Sequence, residues 1–481
     1  MSSSCILSKE ENLQVMSYKK GISVGIINVP IQVISALAAN VIIINEIGKG
    51  NLEIWYLLIS TMPLFTALEL SFPSLMLRNL NEKLKTKRAI RQFLVRAIFI
   101  SSLFQLGVIL AIQAYMGDVE ASIWLFFLGA YLRTISNIIV SVPYSSGLIV
   151  HEKIYRVSYA SLLPVFTLAI FVGFGELALL YLYIAWAISS ACIFVFSIYA
   201  LYKSESYIEN NQCCDLNIPI KFKENLSLLA TTIPGLFIFN LSIYYLKALA
   251  NSEDIVVYGF ILQLVNVYYL VNNILPSVFA PRLSKLFFSG KDISNEVVTI
   301  VDCNIFLAVL AFVSIFFLGG DILATLFLSS FNLSEIQPML ISIAIFILIE
   351  SIQVTLTFFG ISTGKYNYHY QSFCSALFVT IFSYFLIPLY GYLGLVYSIC
   401  LAQSLTCLPF NTYFVCKHLA IPLRNIIVRM IILIAIFILL FTLYRAIKNE
   451  DLSFHLFVFF ATLLPILAAM YKFVFARILR M

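Results

Sequence analysis

Charge is scarce in this chain: Asp, Glu, Lys and Arg together make up 11% of 481 residues, whereas a soluble globular domain carries about 25%. Hydrophobic residues fill the gap at 61%, and the mean hydropathy is +0.96. A water-soluble fold is thereby excluded; the chain is an integral membrane protein. Nine cysteines are present, but none forms a C-x-x-C pair and none falls in a segment assigned to the outside. A disulfide framework is therefore not expected, and Cys213 and Cys214 read as reduced loop thiols. No P-loop and no dinucleotide fingerprint occurs, so the chain itself is not expected to hydrolyse ATP. Nor is there room for a soluble domain, since the longest segment between apolar runs is 201–225. The net charge of +6 is no sign of a nucleic-acid partner, because the basic residues lie mostly in short loops on one side.

What is present is a succession of apolar runs. A helix needs roughly 20 apolar residues to cross about 30 Å of hydrocarbon, and on that rule the sequence holds about fourteen spans. They run 22–44, 54–77, 92–115, 122–149, 157–174, 177–200 and 226–246, then 255–279, 297–319, 336–360, 372–389, 394–416, 426–445 and 454–476. Ala36-Leu37-Ala38 resembles a signal-peptidase site, yet the apolar run continues to Ile44, so an uncleaved first span is expected. Twenty-two basic residues fall on the side that holds both termini, six of them between Arg78 and Arg91, against four on the other side. Both termini are accordingly expected in the cytoplasm.

A weak internal repeat relates the two halves. Lys20 and Pro30 in the first span match Lys223 and Pro234 in the seventh; Tyr56, Pro73 and Arg78 match Tyr258, Pro276 and Arg282. Both halves start on the cytoplasmic side, so the repeat is parallel. The expected organisation is a cytoplasmic N-terminus (1–21), an N-lobe of six helices (22–200) and an inter-lobe loop (201–225). A C-lobe of six helices (226–416) and an extra helix pair (426–476) follow.

Few ionisable groups lie inside spans. Arg96, Arg429, Lys472 and Arg477 sit near cytoplasmic helix ends and are expected to snorkel to the interface. Arg133, eleven residues into the fourth span, lies about 17 Å deep, and Glu350, fourteen into the tenth, about 21 Å; Glu69 in the second is comparably deep. A charge at the bilayer centre costs at least about 2.5–3.5 kcal/mol, so each must face a partner or a water-filled lumen. Arg133, Asn137, Ser141 and Tyr144 share one helical face. Gln353 continues the face of Glu350, and Gln263, Asn266 and Asn273 nearly form a stripe on the eighth span. These residues are the candidate lining of a lumen, with Arg133 attracting an anionic group and Glu69 or Glu350 taking a proton or sodium ion. The alternative is an Arg133–Glu69 pair that holds two helices together. Neither a catalytic centre nor a metal or cofactor site is expected.

The run IWYLLISTMPLFTALELSFPSLMLRNL, with its acidic Glu69-Leu70-Ser71-Phe72 element, is similar to the polysaccharide flippases of the multidrug/oligosaccharidyl-lipid/polysaccharide exporter superfamily (MOP superfamily), most like the Wzx-type O-antigen flippases. VVYGFILQLVNVYYLVNNILPSVFAPRLSKLFFSGK (256–291) and PLYGYLGLVYS (388–398) extend the resemblance over roughly 18–416. The resemblance implies an all-α, MATE-like V of two six-helix lobes with an alternating-access lumen. It also implies flipping of an undecaprenyl-diphosphate-linked oligosaccharide, such as an O-antigen unit of lipopolysaccharide, across the bacterial inner membrane. Implied partners are that lipid-linked oligosaccharide, membrane lipids, H+ or Na+, and other polysaccharide assembly proteins. A drug/cation exporter of the same superfamily would want a more acidic lumen than Arg133 suggests. A multi-pass polymerase or ligase would want a sizeable basic outer loop, and His455 is the one candidate histidine there.

Overall fold

A bilayer offers no water to a bare peptide group, so a chain this apolar folds into helices whose backbone bonds close internally. The computed structural model describes residues 30–31, 34–35, 37–67, 69, 72, 87–116, 121–145, 149–175, 178–205, 230, 233–326, 333–364, 368–447, 452–470 and 472. Among these the fold is all helical, and ten helices are long and apolar enough to cross a membrane. They fall on the third to sixth and eighth to thirteenth expected spans. The helices gather into two compact units, Met1–Ile233 and Pro234–Met481.

In the first unit the helices are α1 (Leu37–Glu46), α2 (Lys49–Ile59), α3 (Met62–Ala67), α4 (Lys87–Met116), α5 (Ile123–Ser145), α6 (Ile149–Phe174) and α7 (Leu179–Glu205). The single span expected at 54–77 is broken at Ser60 and Thr61 instead. Pro63 has no N–H to give the carbonyl of Ile59. The hydroxyls of Ser60 and Thr61 turn back to the carbonyls of Leu57 and Leu58, each at 2.7 Å. The helix thus bends without baring those carbonyls. A second correction concerns α6, which begins at Ile149 rather than 157, so the polar segment from His151 to Arg156 is helical and not loop. Gly175, at φ +75°, ends α6 in the left-handed conformation that glycine tolerates best.

The packing of α5 on α7 depends on one close approach. A Cβ on Gly129 would fall 2.3 Å from the Trp186 ring. With hydrogen there instead, Trp186 stacks on Phe126 at 5.3 Å and donates its Nε1 proton to the Phe126 carbonyl at 3.0 Å. Trp55 of α2 closes the cluster edge-on at 6.1 Å from each of these rings.

The second unit holds α8 (Ile243–Leu249), α9 (Ser252–Asn272), α10 (Ile274–Phe288), α11 (Ser294–Phe317) and α12 (Gly319–Leu326). It continues with α13 (Leu333–Ser362), α14 (His369–Tyr390), α15 (Tyr392–Leu405), α16 (Cys407–His418), α17 (Leu423–Ile447) and α18 (Leu452–Met470). The motif PLYGYLGLVYS is the α14–α15 hairpin. Gly391 turns the chain at φ +56°, and a Cβ on Gly394 would meet the Leu386 carbonyl at 2.2 Å. Asp254 at the start of α9 accepts the Tyr392 N–H at 2.9 Å, satisfying one of the orphan donors at the start of α15. The span expected at 394–416 breaks at Thr406, four residues after Ala402, whose carbonyl takes the Thr406 hydroxyl at 2.6 Å. Pro409 withholds the next bond, to Leu405.

The extra pair, α17 and α18, packs on α11. Arg429 does not snorkel; its Nε and Nη2 donate to the two carboxylate oxygens of Asp302, Nη2 at 3.0 Å. Phe437, Phe441 and Tyr444 then lie against Phe316, with ring centroids 5.7–5.9 Å away. Near the other end of the pair, His455 reaches Asp321 of α12 at 3.3 Å and the Ile447 carbonyl at 3.0 Å. His455 is therefore a structural tie.

Two predictions follow from this packing. Gly129→Ala forces Trp186 off its ring partners, and thermal unfolding of the purified protein should show a loss of about 1–3 kcal/mol. In a double-mutant cycle, Asp302→Asn and Arg429→Gln should be non-additive by about 1–2 kcal/mol, whereas a snorkelling Arg429 would give additive effects.

Candidate functional site

Each unit buries polar groups that hydrocarbon would not tolerate alone. In the first, Arg133 of α5 is 4% exposed, and it is held by groups from α6 and α7. Its Nε donates to Ser190 Oγ at 3.0 Å, Nη2 to Ser189 Oγ at 3.1 Å and Nη1 to the Tyr159 carbonyl at 3.3 Å. The guanidinium also lies over the Tyr159 ring, 4.4 Å from its centroid, and over the Trp186 ring at 3.9 Å. Two aromatic rings and three hydrogen bonds thus engage the cation inside the unit.

Glu69, 7% exposed in the same unit, has a separate circuit. Phe72, buried with Phe93, Ile138 and Val142, pins the Glu69 element against α4 and α5. Glu69 Oε1 accepts from Asn137 Nδ2 at 2.7 Å, and Asn137 Oδ1 accepts from the Tyr155 hydroxyl at 2.7 Å. Among the described residues Arg133 and Glu69 make no ion pair. The cation within electrostatic range of Glu69 is Arg156, whose Nε is bonded to Glu152 Oε1 at 2.9 Å.

The expected polar face of α5 is therefore divided. Arg133 serves the α6–α7 side and Asn137 the Glu69 side, while Ser141 turns back to the Ile138 carbonyl at 2.6 Å. The Tyr144 side chain lies outside the described residues. Tyr155, Arg156, Ser189 and Ser190 were not among the expected site residues. Glu152, Tyr155, Arg156 and Tyr159 stand at i, i+3, i+4 and i+7, a helical face that goes unread when their segment is taken for a loop.

In the second unit Glu350 of α13 is 3% exposed, Gln353 7%. Gln353 Nε2 donates to Gln403 Oε1 at 3.3 Å. Among the described residues Glu350 Oε1, Gln353 Oε1 and the Tyr269 hydroxyl have no hydrogen-bond partner, and Glu350 acts electrostatically on Tyr269, Cys400 and Cys407. A second buried cluster lies beside the stripe expected on the eighth span. Gln263 and Asn273 are half-buried and Asn266 is exposed, whereas Asn272, one register over, is fully buried. Pro276 leaves the Asn272 carbonyl without its helical donor, and Asn304 Nδ2 supplies one at 2.9 Å while also reaching Thr355 Oγ1 at 2.7 Å. Asn272 Nδ2 in turn donates to the Ser351 carbonyl at 3.4 Å. Among the described residues no cluster of His, Cys, Asp or Glu could hold a metal ion.

The fold is that of the MATE transporters of the MOP superfamily. An outward-facing MATE-family multidrug resistance transporter of that superfamily superposes at a TM-score of 0.63, with 12% identity, over 85% of this chain and 95% of that one. A MOP superfamily transporter from Pyrococcus furiosus, in which reverse polarity of the binding pocket suggests a different function, matches at 0.63 with 13% identity, over 85% and 95%. In sequence, the chain is similar to the capsular polysaccharide biosynthesis protein CapF of Staphylococcus aureus, 29% identical over 248 residues, half of this chain. The match covers 60% of that relative's length. No protein-family model matches the chain.

Removing Arg133 opens a cavity among Ser189, Ser190 and two aromatic faces. Arg133→Ala should lower the thermal stability of the purified protein by about 3 kcal/mol or more. Arg133→Lys should recover little of it, because an ammonium reproduces neither the fork nor the stacking. Expression at wild-type level and unchanged stability in both variants would show that the guanidinium is not a structural element.

Proposed function

We propose that this protein is a flippase that moves an undecaprenyl-diphosphate-linked oligosaccharide, an O-antigen or capsule repeat, from the inner to the outer leaflet of a bacterial plasma membrane by alternating access. The observation that carries this reading is the likeness to a capsular polysaccharide biosynthesis protein in a chain with a MOP-type transporter fold. The physics supports it: a lipid tail stays in the bilayer, and only a diphosphate and sugars need a polar route. Ion coupling is part of the reading, with Glu350 and Glu69 as its candidate seats. An ionised carboxylate in an apolar interior is costly without a counter-charge. Glu350, whose Oε1 has no hydrogen-bond partner among the described residues, therefore suits a proton or a monovalent cation. Glu69 has the Asn137 amide and a guanidinium nearby and is the second candidate. Both termini are placed in the cytoplasm by the distribution of basic residues.

The multidrug transporter among the structural neighbours supports the second reading, an ion-coupled exporter of organic cations. Expression in a host deleted for its own flippase separates the two. Restored surface glycan is the expected result, with Glu350→Gln reducing it at least tenfold at normal membrane expression and Glu69→Gln reducing it less. Failure of the wild-type chain to restore glycan, together with Glu350-dependent extrusion of ethidium from cells, would replace the flippase reading with the exporter one.

A further inference from the structure

Arg133 is consumed by its own unit, and that leaves a question of where an anionic substrate meets positive charge. Arg156 differs from it in every respect that matters. Its side chain is 57% exposed, against 9% for its partner Glu152. Nε alone is engaged, by Glu152 Oε1 at 2.9 Å; among the described residues Nη1 and Nη2 donate to nothing. The i, i+4 spacing of the pair tethers the guanidinium along α6 through Nε. Two parallel N–H donors on a planar cation match two phosphate oxygens, a geometry an ammonium does not provide.

The surroundings point the same way. The Glu69–Asn137–Tyr155 chain ends one residue before Arg156, and both Glu69 and Tyr155 lie within its electrostatic range. Lys203 at the end of α7 acts on His151, one turn before Arg156, and burial together with that ammonium pushes the His151 imidazole below its usual value. His151 is therefore neutral near pH 7, and Lys203 and Arg156 are cations beside it.

We propose that Arg156, tethered by Glu152, is the headgroup-binding cation of the N-terminal unit and takes the phosphate oxygens of a prenyl-diphosphate-linked substrate. This rests on the flippase reading above. The neighbouring acids offset part of the guanidinium's charge, so the site holds a diphosphate without trapping it, as a carrier requires.

The test uses the full-length protein in lipid nanodiscs and three probes: undecaprenyl diphosphate, undecaprenol and inorganic pyrophosphate. Arg156→Lys keeps a cation and Arg156→Gln keeps an N–H donor for the buried Glu152 carboxylate, so both variants should fold, which a thermal scan checks. Undecaprenyl diphosphate should bind the wild-type protein, about tenfold more weakly in Arg156→Gln and with partial recovery in Arg156→Lys, while undecaprenol binding stays unchanged. Equal binding of the diphosphate by wild type and Arg156→Gln overturns the assignment of Arg156 and leaves the flippase reading standing. Pyrophosphate binding as tight as the lipid's, and lost equally in Arg156→Gln, overturns the lipid headgroup in favour of a free phosphate site. A wild-type protein that binds none of the diphosphates but binds ethidium overturns both readings together.

Discussion

A charge in hydrocarbon must be answered within reach of its own side chain, and this constraint organises the first unit. Arg133 stands ten residues into α5 (Ile123–Ser145), too deep for its head to reach water along the helix. Two adjacent serines, a carbonyl and two ring faces answer it instead. Those serines are presented by α7 only because Trp186 packs flat on Phe126, and Trp186 packs there only because position 129 has no Cβ. A single hydrogen atom in place of a methyl thus lies upstream of the burial of a full positive charge.

Much of the fold was legible in the sequence for the same reason. Apolar runs of spanning length survive any tertiary arrangement, because the backbone in a membrane has one solution to its hydrogen bonds. What periodicity did not show were the breaks. Ser60-Thr61 and Thr406 sit in apolar runs, and their effect arises from a proline two or three residues on, beside hydroxyls that bond carbonyls of the preceding turn. Segment 151–156 erred the other way: its charges read as loop, yet they belong to a helix whose opposite side is packed.

The candidate site was legible as residue types and not as pairings. Depth along a helix identified Arg133, Glu69 and Glu350 as groups in need of partners. Which partner each found depended on rotation about the helix axis, and a step of one residue changes that by about 100°. The Arg133–Glu69 pair failed at that level: Arg133 bonds Ser189, Ser190 and the Tyr159 carbonyl instead. Asn272 was passed over for its neighbour, although Pro276 four residues on marks it as the position whose carbonyl needs an external donor.

The amide of Asn137 has a consequence of a different sort. It bonds Glu69 on one side and Tyr155 on the other, so the three groups look like a wire. A carboxylic acid and a phenol can each hand on a proton, but an amide between them donates from nitrogen and accepts at oxygen without exchanging one for the other. Asn137 therefore transmits orientation and blocks conduction. Glu69 is thus mechanically coupled to α6, with no proton path through the amide that joins them.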